Sequence, residues 1–143
     1  MITVSQLLAR KGRRTVYSID AEEPVLEAIR IMADQHIGAL LVMKGKALVG
    51  ILSERDYARK VILLGRSSSE TPAWQIMSAP VQTVTPAMTL DECMRLMTER
   101  RIRHLPVLDG DRIAGVISIG DLVKALIEDQ RQTIEQLENY IHS

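Results

Sequence analysis

The residues whose types and spacing suit chemistry form two copies of one short string, Gly-x-x-Ser-x-x-Asp. They are Gly50-Ile51-Leu52-Ser53-Glu54-Arg55-Asp56 and Gly115-Val116-Ile117-Ser118-Ile119-Gly120-Asp121. Each string closes an apolar run and opens a helical pattern. Ser-x-x-Asp at such a junction resembles a capping box, in which the serine satisfies free backbone N–H groups of the helix start. The same place supports a second chemistry. A helix start offers N–H donors and a positive dipole end to an anion such as phosphate. A carboxylate one turn inward offers two acceptor oxygens to a pair of neighbouring hydroxyls. A cap does not need the glycine three residues earlier, which points instead to a close approach to the backbone. Capping and ligand binding are compatible, and the string alone leaves both open.

Other reactive types lack a pattern. His36, His104 and His142 show no metal-ligand spacing with one another or with the carboxylates. His36 reads as a helix end, and Cys93 as a small apolar residue on a buried helix face. There is no nucleophile–base pattern, phosphate loop or dinucleotide fingerprint, so catalysis has no visible machinery. Arg10, Lys11, Arg13 and Arg14 form a basic cluster that fits either a solvated loop or a phosphate contact. Arg100, Arg101 and Arg103 end a helix, where cations complement the dipole; Arg103 is the one read as functional.

The elements that must position the two strings come from a duplication. Sliding the chain by 65 residues aligns 16–57 with 81–122 without a gap, and eleven positions are identical, from Val16 through Gly50, Ser53 and Asp56. Thr15–Ile19 reads as a strand, and Pro24 opens a helix whose Val25, Ala28, Ile29 and Met32 recur at helical spacing. Ala39–Met43 and Ala47–Leu52 are apolar runs joined by a Gly45 turn, a hairpin. A helix follows from Ser53 to about Leu64, stopped by Gly65. The second copy repeats the order: a strand at Val81–Thr85, a helix over Leu90–Arg100, a hairpin of Leu105–Leu108 and Arg112–Ile117 around Gly110, and a helix from Ser118. Thr3 or Ser5 would cap a further helix over roughly 4–11, stopped by Gly12. Thr71-Pro72 would start a short linker helix, AWQIM.

The duplicated β-α-β-β-α unit, its two Gly-x-x-Ser-x-x-Asp strings in register with the hairpins, and Arg103-His104-Leu105-Pro106-Val107 resemble a tandem pair of CBS domains over roughly residues 5–128. The resemblance implies an α/β (α+β) fold in which two units pack as a pseudo-two-fold pair, leaving two related clefts. Such clefts commonly bind adenosine ligands: AMP, ADP, ATP, NAD or S-adenosylmethionine. It assigns ribose to Asp56 and Asp121 and phosphate to the neighbouring Ser53 and Ser118. The opposite unit would complete each cleft: Met77, Pro80, Gln82, Ile102, Arg103 and His104 for Asp56, and Gly12, Thr15, Tyr17, Ile37, Gly38 and Ala39 for Asp121. Pro106 belongs to the matching motif. Arg55 and Arg103 would add phosphate charge to the first cleft, where the second has Gly120 and Gly38, so the two clefts are expected to differ in ligand.

Composition bounds the rest. The chain has 143 residues, with 18 Lys plus Arg against 18 Asp plus Glu, and zero net charge argues against a nucleic-acid partner. One cysteine excludes an internal disulfide or a cysteine pair for zinc. No apolar stretch nears the roughly 20 residues that span a bilayer, and the N-terminus lacks the order of a secretory signal. A cytoplasmic location, with no membrane, is the expectation. Four aromatics (Tyr17, Tyr57, Trp74 and Tyr140) leave the core to aliphatic residues and methionine.

The expected division is 1–66 for the first unit with the N-terminal helix, 67–128 for the second with the linker helix, and 129–143 for a C-terminal helical extension. Ile127, Ile134, Leu137 and Ile141 share one face of that extension, which would pack on its own domain or against a second copy. Disc-shaped homodimers are a habit of the family. The expected function is a non-enzymatic regulatory sensor that binds an adenosine nucleotide and signals in trans to a regulated partner the sequence does not name. A structural or protein-interaction module with vestigial clefts is the alternative.

Overall fold

The computed structural model describes residues 1–12 and 15–142. Its elements run α1 (Val4–Lys11), β1 (Ser18–Asp20), α2 (Val25–Gln35), β2 (Ala39–Lys44), β3 (Ala47–Ser53), α3 (Glu54–Tyr57), α4 (Leu90–Arg100), β4 (His104–Asp109), β5 (Arg112–Ser118) and α5 (Ile119–His142). A π-helical turn, Ala58–Ile62, continues α3, and a 3₁₀ turn covers Ala73–Gln75. The mixed α/β class and the long C-terminal helix agree with the sequence reading.

The chain divides into two compact units, drawn by packing rather than by order along the chain. One unit is Tyr17–Gln82; the other joins Met1–Val16 to Thr83–Ser143. The segment before each repeat thus packs with the other repeat. The reason lies in the apolar faces. Val4, Leu7 and Leu8 of α1 fall at helical spacing and are buried in the core that holds Leu90, Cys93, Met97, Leu105, Val107, Ile117 and Leu122. Ala73 and Ile76 of the linker are buried in the other core, with Val25, Ala28, Met32, Leu40, Val42 and Leu52. At about 2 kcal/mol gross for a buried Leu-sized side chain, α1 is tied to the second repeat by several such terms. Backbone bonds follow the same division: Val4 N–H donates to Met88 (2.8 Å) and Leu90 N–H to Ile2 (3.0 Å), while Ala73 N–H donates to Glu23 (2.8 Å).

In unit Tyr17–Gln82, β1 pairs parallel with β2, and β2 pairs antiparallel with β3. The other unit has the same hairpin, β4 with β5, including a register shift at the equivalent place: Val42/Met43 and Val107/Leu108. Gly45 and Gly110, both at φ 63°, make the two turns. The strand expected at Val81–Thr85 is reduced to a single bridge from Val84 to Val107. In the first repeat Leu41 N–H donates to Tyr17; the corresponding residue of β4 is Pro106, which has no N–H to give. α2 ends in His36 and α4 in Arg101, both left-handed (φ 54° and 53°). Thr89 caps α4 through Glu92 N–H, whereas Pro24 leads α2 without a side-chain cap.

The helix expected from Ser53 to Leu64 winds as α for one turn and then as π, with Leu63 N–H donating to Ala58 (3.0 Å). The linker helix is only the 3₁₀ turn. Thr3, rather than Ser5, caps α1 in a reciprocal box with Gln6. No helix among the described residues is long and apolar enough to cross a membrane.

Candidate functional site

Each signature sits where a hairpin strand ends and a helix begins, and each forms the capping box that its spacing suggests. Ser53 N–H donates to Asp56 Oδ2 (2.9 Å), Ser53 Oγ donates to the same oxygen (3.0 Å), and Asp56 N–H donates back to Ser53 Oγ (3.1 Å). Ser118 N–H donates to Asp121 Oδ2 (2.9 Å), and Asp121 N–H to Ser118 Oγ (3.2 Å). Both carboxylates are half-buried and held by one oxygen, so their orientation is fixed before any ligand arrives.

The second oxygen distinguishes them. Asp56 Oδ1 pairs with Lys60 Nζ (3.2 Å), one turn on, and accepts the Ser78 hydroxyl (3.3 Å). Asp121 keeps Oδ1 clear of bonds among the described residues, because its lysine meets Oδ2: Lys11 Nζ lies 2.9 Å away and also donates to the Val116 carbonyl (3.0 Å). Lys60 makes the matching bond to the Ile76 carbonyl (3.0 Å). Each signature carboxylate therefore faces an ammonium that is also tied to backbone. Burial alone would raise the Asp121 carboxyl; the bonds from Lys11 and Ser118 and the lysine's charge outweigh it and hold the carboxyl below the ordinary range.

The signature glycines have a packing role that the sequence reading did not supply. A Cβ at Gly50 would overlap the Met77 side chain, and one at Gly115 would stand 2.9 Å from Leu8 Cδ2. The close approach is therefore by side chains of the segment that precedes the opposite repeat, Met77 on one hairpin and Leu8 on the other. Ser78 follows directly, pairing with Ile51 in a bridge and reaching Asp56.

The expected site residues fall within the two units as follows. Ser53, Arg55, Asp56, Met77, Pro80 and Gln82 share unit Tyr17–Gln82 with Tyr17, Ile37, Gly38 and Ala39. There Glu54 N–H donates to Gly38 (3.1 Å) and Ala39 pairs with Ser53. Gly12, Thr15, Ile102, Arg103, His104, Pro106, Ser118, Gly120 and Asp121 share the other unit. In it Ile119 N–H donates to Arg103 (2.9 Å) and His104 pairs with Ser118. Arg55, Pro80, Arg103, Gly120, Gly12 and Thr15 are exposed, and Pro106 is buried. Arg103 and Gly120 line an open groove of about 610 Å³ with Ile119, Val123, Lys124 and Ile127. Of the N-terminal basic cluster, Lys11 is the member that reaches a signature; Arg13 and Arg14 lie outside the described residues.

Lys60 and Ser78 were not singled out from sequence. Lys60 had a readable signal, the i+4 spacing to Asp56 on one helical face. Ser78 had none, since its contact depends on where the linker packs.

Comparison with known proteins agrees with this geometry. The CBS domain profile matches residues 4–62 and 73–128. The structure resembles that of a candidate signal-transduction protein with CBS domains from Burkholderia ambifaria, at 53% identity and TM-score 0.84, covering 90% of this chain and 96% of that one. It also resembles a CBS-domain protein from Agrobacterium tumefaciens, at 36% identity and TM-score 0.81, covering 86% and 98%. A CBS domain-containing mitochondrial protein of Arabidopsis thaliana is 38% identical over 97% of this chain and 71% of its own length. With two matched domains, two capped signatures and the repeated hairpin, the chain belongs to the CBS-domain family of regulatory modules, as a tandem pair.

Proposed function

We propose that this chain is a non-enzymatic sensor of an adenosine ligand (AMP, ADP, ATP, NAD or S-adenosylmethionine), working in the cytoplasm as a homodimer and signalling to a protein partner in trans. The observation that carries the reading is the pair of pre-oriented signature carboxylates, each fixed by one oxygen in a capping box. In this reading Asp56 and Asp121 take the ribose hydroxyls, and Ser53 and Ser118 lie near phosphate. Met77, Pro80, Gln82, Ile102, Arg103 and His104 complete the Asp56 site, with phosphate charge from Arg55 and Arg103. Gly12, Thr15, Tyr17, Ile37, Gly38 and Ala39 complete the Asp121 site. A ligand acts on the partner only by binding two arrangements of the pair unequally.

The sites are not equivalent. A diol can take Asp121 Oδ1 directly, whereas at Asp56 it must displace Lys60 and Ser78. The internal satisfaction of Asp56 also favours the second reading, a protein-interaction module in which that cleft is vestigial.

Calorimetry with each ligand on the wild type, Asp56→Asn and Asp121→Asn separates them. Loss of a charged acceptor costs about 1.5–3 kcal/mol, roughly ten- to a hundredfold in affinity, and the larger loss is expected at Asp121. Unchanged affinity in both variants would sink the ribose assignment. A wild type that binds none of the ligands would leave the interaction module.

A further inference from the structure

α5 runs for 24 residues, but only Leu122 and Ala125, in its first two turns, are buried. On another face, from Val123 onward, the helix carries an apolar stripe that the chain itself leaves uncovered: Val123 is 43% exposed, Ile127 53%, Ile134 55%, Leu137 58% and Ile141 73%. With Gln130 in the gap, positions 123, 127, 130, 134, 137 and 141 alternate by four and three residues. That is the seam of a heptad repeat, with isoleucine at all three a positions (127, 134, 141) and Val123, Gln130 and Leu137 at d. Ile at a with Leu at d favours two strands, and the layers of Ile134, Leu137 and Ile141 have that composition. An unpacked helical stretch of this length is marginal in water by itself.

We infer that a second copy of this chain covers the stripe, the two α5 helices pairing in parallel as a two-stranded coiled coil over residues 123–141. The area is sufficient. Five apolar residues per copy, each exposing about 100 Å², give roughly 1,000 Å² over the pair before the flanks are counted, about what a specific interface needs.

Gln130 and the flanking charges set the direction. In parallel register Gln130 meets the second copy's Gln130, and the two amides bond each other. Leu126 then lies against the second copy's Arg131, whose aliphatic stem covers it, and Thr133 lies beside the second copy's Glu138. An antiparallel pair with the same overlap would set each Gln130 against Ile134 and bring the two Arg131 side chains face to face. The walls of the groove at the domain end, Val123 and Ile127, are the first layers of the seam. The coil gives the dimer of the proposed reading its surface, and it needs no nucleotide.

Light scattering on the full chain at micromolar concentration tests it, with circular dichroism as the check on folding. The wild type is expected at twice the 16.0 kDa chain mass. Leu137→Glu, at a position exposed in the single chain, is expected to be a folded monomer, with dimer affinity at least a hundredfold weaker. Ile134→Cys in a Cys93→Ala background is expected to form an inter-chain disulfide, because position 134 meets itself only in the parallel coil. A monomeric wild type overturns the proposal. A dimeric Leu137→Glu variant overturns the α5 seam while leaving a homodimer through another face. A monomeric Leu137→Glu variant together with an uncrosslinked Ile134→Cys variant overturns the parallel arrangement.

Discussion

Replacing Gly50 by alanine tests whether the linker belongs with the first repeat. The added Cβ would stand 2.7 Å from Met77 Cγ and 3.0 Å from Met77 Cβ, and would overlap the sulfur. A methionine can swing its thioether aside, but its Cβ is fixed to the backbone of the Ala73–Met77 turn, which is tied to the unit by buried Ala73 and Ile76. Overpacking of this kind costs about 1–3 kcal/mol, and the stiffer alanine returns about 0.4–1 through the unfolded chain. The expected net loss is about 1–2 kcal/mol. Gly115→Ala meets only the far end of Leu8, with Cδ2 at 2.9 Å and Cδ1 at 3.7 Å, so rotation of one side chain relieves it and the loss stays below about 1 kcal/mol. Urea denaturation of both variants measures the difference, and Met77→Ala supplies the cycle. In the Gly50→Ala background, Met77→Ala should cost about 1 kcal/mol less than in the wild type, because the two side chains compete for one space. Equal stability of Gly50→Ala and wild type, or additivity with Met77→Ala, would refute the assignment.

Two further outcomes follow from charge and burial. The folded Asp121 carboxyl titrates below its ordinary value, so its contribution to stability is complete above the unfolded pKa of about 3.9 and is lost as pH falls through the folded value. Lys11→Met removes part of that depression. The wild type's advantage at pH 7, under about 1 kcal/mol because the lysine is 39% exposed, should shrink in urea titrations near pH 3; a gap of equal size at both pH values would exclude the ion pair as its source. Burial, then the charge of Glu92, pushes the Cys93 thiol up to about 11. It should resist a thiol reagent at pH 8 in the native protein and react once unfolded, and native labelling at the unfolded rate would contradict its burial.

Local features were legible because they depend on neighbours in sequence. The capping boxes at Ser53 and Ser118, the glycine turns at Gly45 and Gly110, and the buried faces of α1, α2 and α4 all follow from spacing of three or four residues. What failed was decided at a distance. The strand at Val81–Thr85 has the same apolar pattern as its counterpart, yet Pro106 removes the partner bond that would extend it. The N-terminal helix reads as part of the repeat it precedes in sequence, although its apolar face is buried with the other one. Lys11 reaches Asp121 across 110 residues, a pairing that no local pattern encodes, whereas Lys60 was readable from its distance to Asp56.

The exchange of leading segments also makes the two units unequal as chain objects. Tyr17–Gln82 is continuous, so all its contacts can form from one stretch of chain. The other unit must bring Met1–Val16 to residues beyond Thr83, which closes a loop of the intervening chain. Its contacts at Asp121 depend on that closure, because Lys11 comes from the first segment and the carboxylate from the last. The Asp56 site draws Lys60 and Ser78 from within its own continuous unit. Duplication supplied two identical signatures, and connectivity then gave them different partners. One carboxylate has both oxygens engaged by nearby chain. The other has one oxygen held by a lysine that arrives only when the N-terminal segment packs with the second repeat.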